Sequence, residues 1–186
     1  MSRFEKIIEA VFDDARYEPI NVLVWGPGDP GPDAPPEKAI AYKKRTEIRE
    51  FAKQEFHRAE VYFSEDDDLN QLTGDVLGLL RQQAVQAAAA HLVIMLDVGR
   101  GVDLELDHFI PTYPWMRDRV YVLLPEQYAP PRGMVKEVFD YLKPEQVVGF
   151  SDTELRQCEV VTKKAFRILL TTAVASYLRR LKQPRT

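Results

Sequence analysis

The stretch Ile20-Asn21-Val22-Leu23-Val24-Trp25-Gly26-Pro27-Gly28 decides the fold. Its first six residues are almost all apolar, and a Gly-Pro-Gly turn stops them. The run is too short for a helix and lacks the alternation of a strand with one wet face. It reads as a strand buried on both sides. Strands of that kind belong to parallel sheets, whose neighbours are reached through crossover helices. The flanking sequence supplies such helices.

Before the strand, Phe4, Ile7, Ile8, Val11 and Phe12 recur at helical spacing. After it, residues 26–36 hold five prolines and three glycines and form a loop. A helix is expected from about Glu37 to Phe56, with Ala41, Ile48, Phe51, Ala52 and Phe56 on its inner side. Ala59–Phe63 is a second strand. Ser64-Glu65-Asp66 can cap a following helix, expected from about Leu69 to Ala90. His91–Leu96 is a third strand, ended by Gly99 and Gly101. Val102, Leu106 and Phe109 then mark a short helix. Arg119–Leu124 is a fourth strand, Gly133–Leu142 a helix with Met134, Val138 and Leu142 inward, and Gln146–Phe150 a fifth strand. Ser151-Asp152-Thr153-Glu154 is a capping box that opens a long helical stretch with one break, to about Leu181.

This alternation predicts a flavodoxin-like α/β fold: a doubly wound, five-stranded parallel sheet in the order 2-1-3-4-5. An extra N-terminal helix (1–17) precedes the core (20–150), and a C-terminal helical segment (151–182) follows it. No linker or internal repeat divides residues 1–186, so one domain is expected. In such sheets ligands bind beyond the carboxyl ends of the strands, where the order reverses. Here that is between the first and third strands.

Composition narrows the function. A net charge of −4 gives no basic footprint for nucleic acid. No stretch approaches the ~18 apolar residues of a membrane span, and no apolar signal segment is evident, so no membrane partner is expected. The lone Cys158 rules out an internal disulfide and fits a reducing, cytoplasmic setting. The basic tail Arg179, Arg180, Lys182 and Arg185 reads as solvated surface or as a weak contact for an acidic partner. Tyr177, Leu178 and Leu181 either pack on the domain or form the seam of a homo-oligomer.

The two turns at the crevice carry the chemistry. Gly26-Pro27-Gly28-Asp29-Pro30-Gly31 matches G-x-G-x-x-G in letters only, because five prolines remove the N–H groups that would face a pyrophosphate. Gly26 and Gly28 can still let a ligand approach the backbone. Trp25 either stacks on a base or fills the core. Asp97 and Glu65 end strands, where each can bind a sugar hydroxyl or cap a turn. Gly99 and Gly101 shape the second turn. Lys43, Lys44 and Arg45 read as solvated surface, with Arg45 open to a ligand phosphate. Glu105 lies beside the apolar stripe of the helix after the third strand. It is either a half-desolvated catalytic carboxylate or an ordinary first-turn glutamate. No P-loop, nucleophile elbow or metal-ligand pattern is present, so no metal and no bound cofactor are expected. His57 and His91 read as loop and strand-start residues.

Three segments together resemble the nucleoside 2-deoxyribosyltransferases and the TIR-like NAD-glycohydrolase domains. They are Val22-Leu23-Val24-Trp25 leading into Gly26-Pro27, then Val61-Tyr62-Phe63-Ser64-Glu65-Asp66, and Gly101-Val102-Asp103-Leu104-Glu105-Leu106-Asp107-His108-Phe109. The resemblance spans about residues 20–150. It implies an N-glycosidase or transferase that cleaves the base–ribosyl bond of a nucleotide, NAD or nucleoside. Glu105 would act at C1′ and Asp97 would touch the sugar or base. An ungapped match puts Asp103 in the catalytic place instead. The other reading is a non-catalytic nucleotide-sensing or protein-interaction module on the same fold.

Overall fold

The computed structural model describes residues 2–73, 78–96, 108–128 and 140–182. Its centre is a five-stranded, all-parallel sheet in the order β2-β1-β3-β4-β5. The strands are β1 (Ile20–Trp25), β2 (Ala59–Tyr62), β3 (Leu92–Leu96), β4 (Val120–Pro125) and β5 (Val147–Phe150). The expected strand order and fold class are therefore the observed ones. Val22 pairs with Leu92 and Trp25 with Met95, so β1 and β3 end side by side at the reversal point.

Each strand divides its side chains between two cores, as a period of two requires. Ile20, Val22 and Val24 of β1 join Leu92, Ile94 and Leu96 of β3 in one core. Leu23 and Trp25 join Val93 and Met95 in the other. The first core is covered by α2 (Pro36–Glu55) and the long C-terminal helix, α6 (Cys158–Lys182). The second is covered by α4 (Leu79–Ala89) and by the helical residues 108–112.

The helix ends follow local chemistry. Ser2 and Glu5 form a capping box on α1 (Arg3–Ala15). Ser151 and Glu154 form another on α5 (Asp152–Arg156), as its sequence predicts. Gln157, with φ −87° and ψ 110°, supplies the single break before α6. One expectation about the helices needs correction. The continuous helix 69–90 is instead α3 (Asp67–Thr73) and α4, because Gly78 sits in extended backbone (ψ 152°) at the start of α4. The apolar stripe of α1 does not face the core: every residue from Ser2 to Ala10 is exposed, and only Ala15 is fully buried. Residues 102–107 and 133–139 of the two other expected helices lie outside the described residues. Of their inward positions, Phe109 and Leu142 are buried as expected.

Among the described residues, no helix is long and apolar enough to cross a membrane. His57 lies in the turn between α2 and β2, its ring against Tyr17.

Candidate functional site

The reversal point is closed at its base by glycine. A Cβ on Gly26 would stand 3.3 Å from the Arg45 side chain and 3.3 Å from the backbone oxygen of Leu96. Gly26 thus lets the first turn rest directly on the end of β3. Gly28 faces open space. Gly31 adopts a left-handed φ of +72° and donates its N–H to Asp29 Oδ1 at 2.9 Å. It opens no helix. α2 starts five residues later at Pro35-Pro36, with no side-chain cap.

Behind this turn lies a buried charge. Arg45, only 1% exposed, comes from α2 and spends every N–H it has. Nε and Nη2 donate to the Val24 carbonyl at 3.1 and 2.9 Å. Nη1 donates to the Pro27 carbonyl at 3.1 Å. Nη1 and Nη2 also hold the two oxygens of Glu65, at 2.6 and 2.8 Å. That exhausts the five donors of a guanidinium. The Phe63 ring packs beneath Arg45 and Arg49, 3.9 and 3.5 Å from their guanidinium carbons. Arg49 in turn grips both oxygens of Asp66 at 2.9 Å.

Arg45 and Glu65 therefore form one device that ties the exits of β1 and β2 together. A ligand phosphate could reach Arg45 only by displacing Glu65 or a backbone carbonyl. Glu65 is half-exposed and its carboxylate is already bound. Burial pushes that carboxyl up, but the Arg45 hydrogen bonds and charge outweigh burial, and its pKa lies below the usual value.

Lys44 also departs from the surface reading. It is 2% exposed and holds Glu47 at 2.8 Å. Lys43, Lys44 and Arg156, with Glu47, Ile40 and Leu155, line a cavity of about 220 Å³ where α2 meets α5. Glu47 pairs with Lys44 at 2.8 Å and with Lys43 at 3.9 Å across it. This cavity lies on the α2–α6 side of the sheet.

Trp25 lies on the other side. It is 1% exposed and rests against Phe109, with ring centroids 5.1 Å apart. The ring is a core aromatic and has no free face for a stacked base. Its Nε1 is buried without a hydrogen-bond partner among the described residues. The same holds for Oε1 of Gln86 on α4, whose Nε2 donates to the Ser64 carbonyl at the exit of β2. A buried, unmatched donor or acceptor costs about 1–3 kcal/mol and calls for an explanation. Sequence periodicity hid Gln86, because a glutamine among alanines reads as helix surface.

Asp97, Gly99, Gly101, Asp103 and Glu105 lie outside the described residues. Among those described, no group of three His, Cys, Asp or Glu side chains is placed to hold a metal. Compared with known families and curated proteins, the chain matches no family model and no curated protein.

Proposed function

We propose that the chain binds a nucleoside, a nucleotide or NAD beyond the carboxyl ends of β1 and β3. It then cleaves the base–ribosyl bond through the carboxylate of Glu105. The observation that carries the reading is the pair of unmatched polar groups near the strand exits. Trp25 Nε1 is a donor, Gln86 Oε1 is an acceptor, and both are buried at the carboxyl side of the sheet. The edge of a heterocyclic base presents the complementary acceptors and donors. The turn at Gly28 leaves the approach open. The strand order supports a crevice at this point, the reversal point where sheets of this topology commonly bind ligands.

The chemistry is that of a glycosidic bond. The C1′–N bond breaks, its electron pair stays on the base nitrogen, and the sugar takes on oxocarbenium character. A nearby carboxylate stabilises that charge or bonds to C1′, and water or a second base then takes its place. Only stabilisation greater in the transition state than in the ground state speeds the step. The family this implies is the nucleoside 2-deoxyribosyltransferase-like and TIR-like group, and the proposal places the protein in the cytoplasm.

A second reading, non-catalytic nucleotide sensing, is favoured by one observation. The acid that the exit of β2 presents, Glu65, is locked to Arg45 and not free to react. Incubation with NAD and with deoxynucleosides separates the two readings. Release of nicotinamide or of free base supports cleavage, and base exchange supports transfer. Ligand binding without release supports sensing. Glu105→Gln should keep the fold and lose turnover, and full turnover in that variant would remove Glu105 from the mechanism.

A further inference from the structure

Three histidines stand in the chain, and the structure separates them. His57 packs on Tyr17 in the turn that leads into β2. His91 stands just before β3, where its Nδ1 accepts the Asn21 N–H at 2.9 Å. Both lie at the amino ends of the strands. His108 lies toward the carboxyl ends. Its ring meets Phe109 edge-on, with centroids 5.3 Å apart. Phe109 is buried and rests on Trp25, the last residue of β1, at 5.1 Å. His108 is thus two ring contacts from the indole whose Nε1 is unmatched. It is exposed, and among the described residues its imidazole has no hydrogen bond or ion pair.

The titratable groups at the exit of β2 are otherwise engaged. Glu65 is held by Arg45, and Asp66 by Arg49 and the Phe63 N–H. Tyr62 donates its hydroxyl to Glu60 at 3.0 Å. Histidine is also the side chain best suited to pass a proton near neutral pH.

We propose that His108 is the general acid that protonates the departing base, and that the substrate is accordingly a neutral purine nucleoside rather than NAD. This rests on the cleavage reading above. The electron balance of the step calls for such a group. A neutral purine that takes the C1′–N9 electron pair leaves as an anion, which is a poor leaving group. A proton passed from the His108 imidazolium to N7 as that bond breaks lets the base leave neutral, and the imidazole is left uncharged. Water then bonds to C1′, and the proton it sheds returns to His108. The nicotinamide of NAD is a cation before cleavage and becomes neutral on taking the electron pair, so it needs no such proton. In the sequence His108 follows Glu105 by three residues, so one short segment supplies both the acid for the base and the carboxylate for the sugar.

The test compares guanosine and 2′-deoxyguanosine with their 7-methyl derivatives, in which N7 is already alkylated and the base is cationic. NAD is the remaining probe. The unaltered chain should release guanine from at least one unmethylated nucleoside. His108→Gln should cut that turnover by about a hundredfold, the low end for general acid catalysis. Release of 7-methylguanine, circular dichroism and melting should not change. Imidazole added to His108→Gly should restore part of the lost turnover, which it would not do for a purely structural side chain. Equal losses on methylated and unmethylated nucleosides, no loss on either, or cleavage of NAD alone overturns the role of His108 while the cleavage reading stands. No base released from any probe removes the cleavage reading itself, and this inference with it.

Discussion

Arg45 and Glu65 meet across the carboxyl ends of β1 and β2 in a two-pronged pair, Nη1 to Oε1 at 2.6 Å and Nη2 to Oε2 at 2.8 Å. The arginine is enclosed and the glutamate is half in water, so the two should respond unequally to removal. Arg45→Met strips the Val24 and Pro27 carbonyls of their donor and leaves Glu65 without its cation. Unfolding by denaturant should show a loss of about 3–5 kcal/mol, the range for breaking a buried pair. Glu65→Gln leaves a carbonyl oxygen for one prong and admits water to the other. Solvent screening at the half-exposed carboxylate brings its loss down to about 1–2 kcal/mol. Equal losses in the two variants would contradict an enclosed arginine with an exposed partner.

The contact between Gly26 and the end of β3 predicts a steric effect. In Gly26→Ala the new methyl group presses on the Leu96 carbonyl, which is backbone and cannot swing aside, and on the Arg45 stem. A loss of about 1–3 kcal/mol is expected from such overpacking. Gly28→Ala meets nothing and should melt like the unaltered chain. Its effect, if any, should fall on ligand affinity, because a methyl there stands at the open side of the turn.

These two glycines also show what the sequence makes legible. Strand β1 was readable because burial on both faces leaves a continuous apolar run, and the turn after it because proline and glycine exclude helix. The strand order followed from right-handed crossovers and the alternation of elements. Arg45 and Lys44 were not readable as buried. Charged side chains are seldom enclosed, and nothing local announces that two backbone carbonyls and a glutamate from β2 wait for one of them. The break at Gly78 was hidden because apolar spacing runs through it. The stripe of α1 was legible, but its exposure was not: spacing shows that a helix has an apolar face and is silent on what covers it. Of the two turns expected to form the crevice, the turn at Gly26–Gly28 is described and the segment bearing Asp97, Gly99 and Gly101 lies outside the described residues, as does Glu105.

His91 gives the stability a pH dependence. Its Nδ1 accepts the backbone N–H of Asn21 at 2.9 Å, while the backbone N–H of His91 donates to the Asn21 carbonyl at 2.8 Å. Accepting through Nδ1 requires the neutral ring. Burial, and then the charges of Arg119 and Arg179, hold its pKa below the ordinary histidine value. The unfolded chain therefore takes up the proton first as pH falls. The contribution of His91 is complete above about pH 6.5 and declines below it, down to the lowered folded pKa. His91→Asn keeps an acceptor near the Nδ1 position and has no titration. The difference in melting temperature between pH 7.5 and pH 5, conditions that bracket the roughly neutral histidine range, should be smaller in this variant than in the unaltered chain. An unchanged difference would remove His91 as a source of the pH dependence.

Trp25 offers the most direct link between the core and the proposed ligand. Trp25→Phe keeps an aromatic ring against Phe109 and deletes the unmatched N–H. No hydrogen bond to a described residue is lost, so the stability change comes from lost area and a small void, about 1–2 kcal/mol. If the N–H serves a bound base, affinity for NAD or a nucleoside falls by about tenfold, the value of one neutral hydrogen bond. Calorimetric titration of both proteins reads that change, and thermal melting without ligand reads the structural part separately. A variant that loses stability by the expected amount and binds as tightly as before would place the indole N–H outside the site. It would also leave Gln86 Oε1 as the remaining member of the proposed pair to meet the base.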